Sequence, residues 1–246
     1  MQEQPIINIK NLTKSFGKNK VLRGIDLTVN KGDNLVILGR SGSGKSVTIQ
    51  CLVGLHKVDK GQIEVFGTDV TKLNYEELNK IRLRIGFLFQ NGALYDSMSV
   101  RDNLAFTLKH HTKDLPKEEV AKQIFEVLEN VGLEEAIDKM PSQLSGGMIK
   151  RIGLARTLII KPEIILYDEP TAGLDTITGK EISELILSVQ EKYNTTSIII
   201  THDIICAKMT ANRLMIIKEG LIHVEGTFEE LKNSSDEWVR SFFEYE

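Results

Sequence analysis

Only two cysteines, Cys51 and Cys206, occur in 246 residues, each in a largely apolar setting. Two isolated thiols make no disulfide framework, and they fit buried cysteines of a reducing compartment better than a lone disulfide. No apolar stretch approaches the roughly 18–20 residues of a membrane-spanning helix. The opening residues MQEQPIINIK lack the basic start and apolar run of a signal peptide. Both absences point to the cytosol, with any membrane role reached through a partner. Excess charge is missing as well: 34 acidic residues face 31 basic ones, for a net charge of -3. The chain therefore carries no global pull toward nucleic acid. It has no 20–50-residue repeat and no low-complexity segment, which sets solenoids and tandem duplications aside. His56, His110, His111 and His223 lack partners at metal-ligand spacing and receive no role.

What is present is ordinary for a globular protein, with 41% hydrophobic and 26% charged residues. The length suits one large α/β domain or two small ones. From Ile6 to Asn30 the pattern is strand-like, with Ile25, Leu27 and Val29 alternating against Asp26, Thr28 and Asn30. A turn at Lys31–Asp33 leads to Asn34–Leu38, a short apolar run that reads as a buried central strand. A helix is expected from Lys45 to about Gly54. Residues 92 to about 160 read as mostly helical. Pro116 suits a first helical position, Val120, Ile124, Val127, Leu128 and Val131 form an apolar stripe, and Gly132 suits the stop. Ile164–Asp168 and Ser197–Thr201 read as further buried strands with a helix between them. A final hairpin pairs Arg213–Ile217 with Leu221–Glu225. Strands separated by helices imply an α/β fold with a parallel sheet. On this reading the core comprises about 1–91 and 161–246, and residues about 92–160 form an inserted helical subdomain.

Residues Gly39, Arg40, Ser41, Gly42, Ser43, Gly44, Lys45 and Ser46 match GxxxxGK[ST]. Glycines permit turns in which successive N–H groups face phosphate oxygens. Lys45 adds a point charge for the β- and γ-phosphates, and Ser46 offers a hydroxyl to Mg²⁺. The following helix aims its positive end at the same anion. A glycine-rich helix cap is the bland alternative, but the motif lies between a buried strand and a helix, as a phosphate loop requires.

Ile164–Leu166 and Tyr167 lead into Asp168 and Glu169, a strand ending in two carboxylates. Ligands bind at such strand ends in parallel sheets. Asp168 is expected in the Mg²⁺ sphere, and Glu169 as the general base that polarises the attacking water. Taken alone, the pair reads as a solvated helix start; the upstream phosphate loop changes its meaning. His202, just past the strand Ser197–Thr201, is placed to contact a γ-phosphate, although isolated histidines are more often structural. Gln90, after the apolar Ile85–Phe89, can bring an amide to Mg²⁺ and water, although by itself it reads as a surface glutamine. Leu144-Ser145-Gly146-Gly147-Met148 precedes a helix with Ile149, Ile152, Ala155 and Leu158 on an apolar stripe. A serine and two glycines at a helix start make a second anion cradle, or else a plain N-cap.

With these residues together the chain resembles the ATP-binding subunits of ABC transporters over nearly its whole length. Phe16, Gly39–Ser46, Gln90, Leu144–Met148, Ile164–Glu169, Ala172–Asp175 and His202 follow the family's order and spacing. The resemblance implies a P-loop NTPase core with a parallel sheet, an antiparallel β subdomain and the helical insertion. It implies ATP and Mg²⁺, with Phe16 stacking on adenine and Gly39–Val47 around the phosphates. It also implies a head-to-tail homodimer in the assembled transporter, Ser145 and Gly147 of one subunit meeting the γ-phosphate held by Lys45 of the other. Gly146 belongs to that cradle and Asp175 to the loop beside it. Hydrolysis would then move membrane permease subunits. Met148 stands where the family commonly has glutamine, and Val47 where it often has threonine; neither change touches Lys45, Asp168 or Glu169.

Phe89–Leu104, FQNGALYDSMSVRDNL, together with the GKSV ending and LSGGM, resembles the Mla/Mce branch. That branch implies phospholipid or other lipid traffic in bacterial envelopes, an Mce-type substrate-binding partner, and a peripheral place on the inner face of the cytoplasmic membrane. Residues 92–98 suit a surface that docks a partner helix, or subdomain core. The chain ends at Phe242-Phe243-Glu244-Tyr245-Glu246, an aromatic tail expected to pack in cis or on a partner, and its shortness weighs against the extension-borne regulator of some relatives. Other readings stay open: an ABC ATPase for an amino acid, metal or lipoprotein system, a non-transport ABC protein, or a P-loop kinase or GTPase, in which Leu144–Met148 would have no task.

Overall fold

The alternation from Ile6 to Asn30 folds as two strands, β1 (Ile7–Phe16) and β2 (Asn19–Val29), because Gly17 at φ +60° turns the chain between them. The computed structural model describes residues 4–112 and 115–244. The chain divides into two units, residues 1–82 with 196–246, and residues 83–195.

In the first unit, β1 pairs antiparallel with β2 and with β4 (Lys60–Val65), and β5 (Thr68–Asp69) extends the sheet to the order β2-β1-β4-β5. Ile25, Leu27 and Val29 are buried while Asp26 and Thr28 are exposed, so the period-2 pattern carries one face into the core. β3 (Asn34–Leu38) is buried at every residue. It is flanked in parallel by β8 (Thr196–Ile200), one residue earlier than its sequence pattern indicates, and by β9 (Arg213–Lys218). β9 returns as β10 (Leu221–Gly226), the expected hairpin. The helices here are α1 (Lys45–Leu52), α2 (Tyr75–Arg82), α7 (Ile204–Thr210), α8 (Phe228–Lys232) and α9 (Glu237–Arg240). The aromatic tail packs in cis: Phe243 meets Phe228 edge-on at 5.1 Å, and Phe242 meets Trp238 at 4.9 Å. Tyr245 and Glu246 lie outside the described residues. Cys51 and Cys206 are both buried thiols.

The second unit holds the parallel pair β6 (Ile85–Leu88) and β7 (Ile164–Asp168) with helices α3 (Val100–His111), α4 (Lys117–Val131), α5 (Gly146–Leu158) and α6 (Thr176–Tyr193). Pro116 occupies the N-cap of α4, one place before the helical position expected for it. Gly132 closes α4 in the left-handed region at φ 64°. α5 is buried on more than one stripe, including Lys150, Gly153, Leu154 and Thr157 besides Ile152, Ala155 and Leu158. Among the described residues no helix is long and apolar enough to cross a membrane.

Candidate active site

The first unit carries Phe16, Gly39–Val47 and His202. The phosphate loop leaves β3 at Leu38 and enters α1 at Lys45. Lys45 is buried, and its ammonium folds back to donate to the Gly39 carbonyl at 2.8 Å and the Arg40 carbonyl at 3.3 Å. Gly39 accepts no side chain: a Cβ would lie 2.7 Å from both the Ile217 carbonyl and Ser43 Oγ. Gly44 has φ +104°, and a Cβ there would lie 2.7 Å from Leu22 Cδ2. Arg40, Ser41 and Gly42 are exposed, while Ser43, Ser46 and Val47 are half-buried. No acidic residue occupies the first turn of α1, so the helix itself leaves its positive end open to an anion. Ser43 Oγ is buried with no hydrogen-bond partner among the described residues. A buried hydroxyl of this kind calls for a ligand oxygen. The loop thus fits a polyphosphate.

β8 runs parallel beside β3, with Ile37 opposite Ile200, so His202 leaves the same sheet end as the phosphate loop. Its neighbours fix it. Thr201 donates its N–H to the Ile37 carbonyl, and Asp203 caps α7 by accepting from the Ile205 and Cys206 amides. His202 itself is exposed. Phe16, 43% exposed, keeps Lys14 Nζ 5.1 Å from its ring centroid and His56 at its edge. The strand that returns from its hairpin supplies the Val21–Leu22 wall against Gly44.

The second unit carries Gln90, Ser145–Gly147, Asp168, Glu169 and Asp175. Leu88 lies opposite Tyr167 in the parallel pair, so Gln90 and the two carboxylates leave β6 and β7 at one end. Gln90 is exposed, Asp168 is 8% exposed, and Glu169 is half-buried. A hard oxygen donor set of this type, with a buried carboxylate, suits Mg²⁺. Glu169 sits at φ +51°, left-handed backbone for a non-glycine residue. Ser145 caps α5, its Oγ accepting from the Met148 amide at 3.3 Å. Asp175 caps α6 by accepting from the Ile177 and Thr178 amides at 3.0 Å and from Thr178 Oγ1 at 2.7 Å. The Thr178 bonds hold its carboxyl below the usual range.

Lys150 received no role from sequence. It is 5% exposed on α5, and its Nζ donates to the Glu169 carbonyl at 3.0 Å. Burial depresses its pKa, while the Glu169 and Asp168 charges act the other way. The available signal was a lysine one turn after two glycines, in a helix that also carries Arg151 and Arg156.

After Gln90 the chain is knitted by Asn103, fully buried, which accepts from the Tyr95 amide and donates to the Tyr95, Met98 and Ser99 carbonyls. Arg156 bonds the Ala93 carbonyl. Ala93 and Tyr95 remain exposed, so this stretch is surface rather than core. Phe87, Tyr95, Phe106, His110 and Arg156 line a concavity beside it.

The ABC transporter family profile matches residues 22–172. The chain is 40% identical over 237 residues to the probable ribonucleotide transport ATP-binding protein mkl of Mycobacterium leprae, covering 96% of this chain and 68% of that protein. It is 38% identical over 222 residues to the methionine import ATP-binding protein MetN of Brucella abortus, covering 90% of this chain and 60% of that one. Each relative thus extends well beyond the matched region. Among solved structures, the dimeric post-hydrolysis state of the ATP-binding cassette MJ0796 bound to ADP and Pi superposes with a TM-score of 0.83 at 32% identity, covering 90% of this chain and 98% of that one. The phosphate loop, the two carboxylates at a strand end and these likenesses together place the chain in the ABC transporter family, as an ATP-binding cassette with ATPase activity that takes ATP with Mg²⁺.

Proposed function

We propose that the chain works as one half of a head-to-tail homodimer, that ATP hydrolysis between the halves drives membrane permease subunits, and that the cargo is phospholipid or another lipid of a bacterial envelope. The observation that carries the hydrolytic part is a closed phosphate loop around buried Lys45 in the same chain as a strand-end Glu169 of fixed backbone. Gly39–Val47 hold the phosphates and Phe16 stacks on adenine. Ser46, Gln90 and Asp168 hold Mg²⁺, which when bound neutralises phosphate charge. Glu169 takes the proton of the attacking water, whose oxygen bonds to the γ-phosphorus as the bond to the ADP oxygen breaks. His202 steadies the γ-phosphate. Ser145, Gly146 and Gly147 close the site from the partner, with Asp175 beside them. Residues about 92–160 act as the helical subdomain that passes the motion on.

The cargo reading rests on the resemblance of Phe89–Leu104 to the lipid branch; the exposed Ala93 and Tyr95 beside a concavity support docking of a permease there, whatever its cargo. On the lipid reading the chain sits on the inner face of the cytoplasmic membrane, with an Mce-type substrate-binding protein as a further partner. A second reading, a small-solute importer, is favoured by the names of the relatives, ribonucleotide transport and methionine import. Affinity purification from native membranes, with mass spectrometry of proteins and lipids, separates the two. A permease with an Mce-type protein and enriched phospholipid is the expected result. A permease with a small-solute-binding protein and no specific lipid would overturn the cargo assignment.

A further inference from the structure

Lys150 is one helical turn beyond Gly146–Gly147, and its buried ammonium grips the carbonyl of Glu169 at 3.0 Å. An ammonium taken out of water is retained only where it is well paired. The carbonyl it grips belongs to the residue at φ +51°, and the Ala172 amide donates to the same oxygen at 3.2 Å. Two donors therefore pin the peptide that sets the direction of the Glu169 side chain. The rest of α5 follows the same loop. A Cβ on Gly146 would lie 3.5 Å from Leu174 Cδ2, one on Gly147 would lie 2.7 Å from Thr178 Cγ2, and Arg151 bonds Glu181 at 2.6 Å. Helix α5 is thus fastened to the Glu169–Glu181 segment along its first two turns.

We propose that Lys150 is a positioning residue for Glu169, tying the helix that presents Ser145 to the general base of the same chain. The proposal rests on the sandwich reading above. There Ser145 meets the nucleotide held by the partner, whereas Glu169 serves the nucleotide held by its own Lys45. Lys150 then links the two ATP sites through one chain: closure of one site on Ser145 sets the peptide that aims the base in the other. Lysine suits this task because its ammonium reaches a single carbonyl from a helix buried on most sides.

The test compares Lys150→Met, which keeps length and removes the donor, with Lys150→Arg, which keeps a donor, in the full chain. Lys150→Met is expected to lose about 10- to 100-fold in single-turnover hydrolysis, the scale of a misplaced reacting group. Its KM and affinity for ATP stay at wild-type values. With ATP and Mg²⁺ it is expected to accumulate as a dimer in gel filtration, as chemistry but not closure is slowed. Lys150→Arg is expected to recover most of the rate and to release the dimer. Wild-type turnover in Lys150→Met overturns the proposal. So does a KM that rises as the rate falls, since that marks a merely structural cation. Glu169→Gln is the control for the underlying reading: if it forms no ATP-bound dimer or turns over like wild type, the sandwich falls, and the Lys150 rates are judged apart from it.

Discussion

Glu169 shows what a single residue holds in this chain. Left-handed backbone costs a non-glycine residue on the order of 1–2 kcal/mol, and Glu169 adopts it at φ +51° directly after the buried strand β7. Conformations of this kind persist where neighbours over-determine them, and the Lys150 and Ala172 donors to its carbonyl are such neighbours. Lys45 is held just as firmly, on two loop carbonyls. Lys45→Ala removes a charge-assisted contact, commonly about 1.5–3 kcal/mol, so calorimetry should show ATP affinity reduced at least about tenfold. Unchanged affinity would sink the phosphate-loop assignment. Cys51 offers a pH-dependent test. Burial pushes its thiol up to about 11 from 9.0, against the pull of Lys14. A folded pKa raised above the unfolded one favours the native state below pH 9 and loses that advantage as pH climbs toward 11. Unfolding titrations should therefore show stability falling across that window, with Cys51→Ala flattening the fall. Thiol reagents at pH 8 should label Cys51 only after denaturant is added. Lys45 was assigned from sequence because the GxxxxGK[ST] residues around it define its chemistry, and the acidic pair because that distant loop gives a strand-end pair a task it lacks alone. Lys150 was not, because its partner is a carbonyl 19 residues away, across a fold.

At the scale of elements, the same distinction separates what periodicity reveals from what it hides. β2, β3, α4 and the β9–β10 hairpin carry their burial in their spacing. By contrast α2 has no buried residue, although Tyr75, Leu78 and Ile81 fall at helical spacing along it. β4 begins Lys60-Gly61-Gln62, and Gly61 is there because a Cβ would lie 2.4 Å from the Asn11 carbonyl of β1, a demand made by the neighbouring strand. α5 shows the effect most plainly. Its sequence indicates one apolar stripe, yet Gly153 lets a second face close on residues 88–92. A Cβ there would lie 3.0 Å from Gly92 Cα, Gly92 O and Leu88 Cδ1. Two of those three atoms are backbone and cannot turn aside. Gly153→Val is therefore expected to cost about 1–3 kcal/mol by overpacking, read as a lower midpoint in urea. Because Gly92 lies two residues past Gln90, this variant should also slow hydrolysis more than its stability loss explains. A Gly153→Val protein as stable as wild type would show that the α5 contact is looser than these distances require.

At the scale of the whole molecule, the residues expected around one nucleotide fall on Gly39–Val47 and on Ser145–Gly147, and the sandwich assigns these to different copies of the chain. That arrangement is proposed through family resemblance alone, since no spacing within one chain specifies contact with a second copy. It makes a complementation test available. Ser145→Arg places a bulky cation where the partner's γ-phosphate would meet the α5 cap, yet leaves its own phosphate loop intact. Lys45→Ala does the reverse. Each homodimer then lacks both composite sites and should hydrolyse little ATP, although the Ser145→Arg chain should bind ATP with wild-type affinity. Mixed one to one, half of the dimers pair one variant with the other, and each such pair has one site built from an intact loop and an intact cap. Random pairing in a two-fold assembly thus gives back about a quarter of the wild-type rate at most. Recovery in the mixture, tracked with differently tagged chains, is expected because loop and cap act in trans. A mixture as inactive as its components, with mixed dimers present, would mean that loop and cap must serve within one chain, and the head-to-tail sandwich would fall.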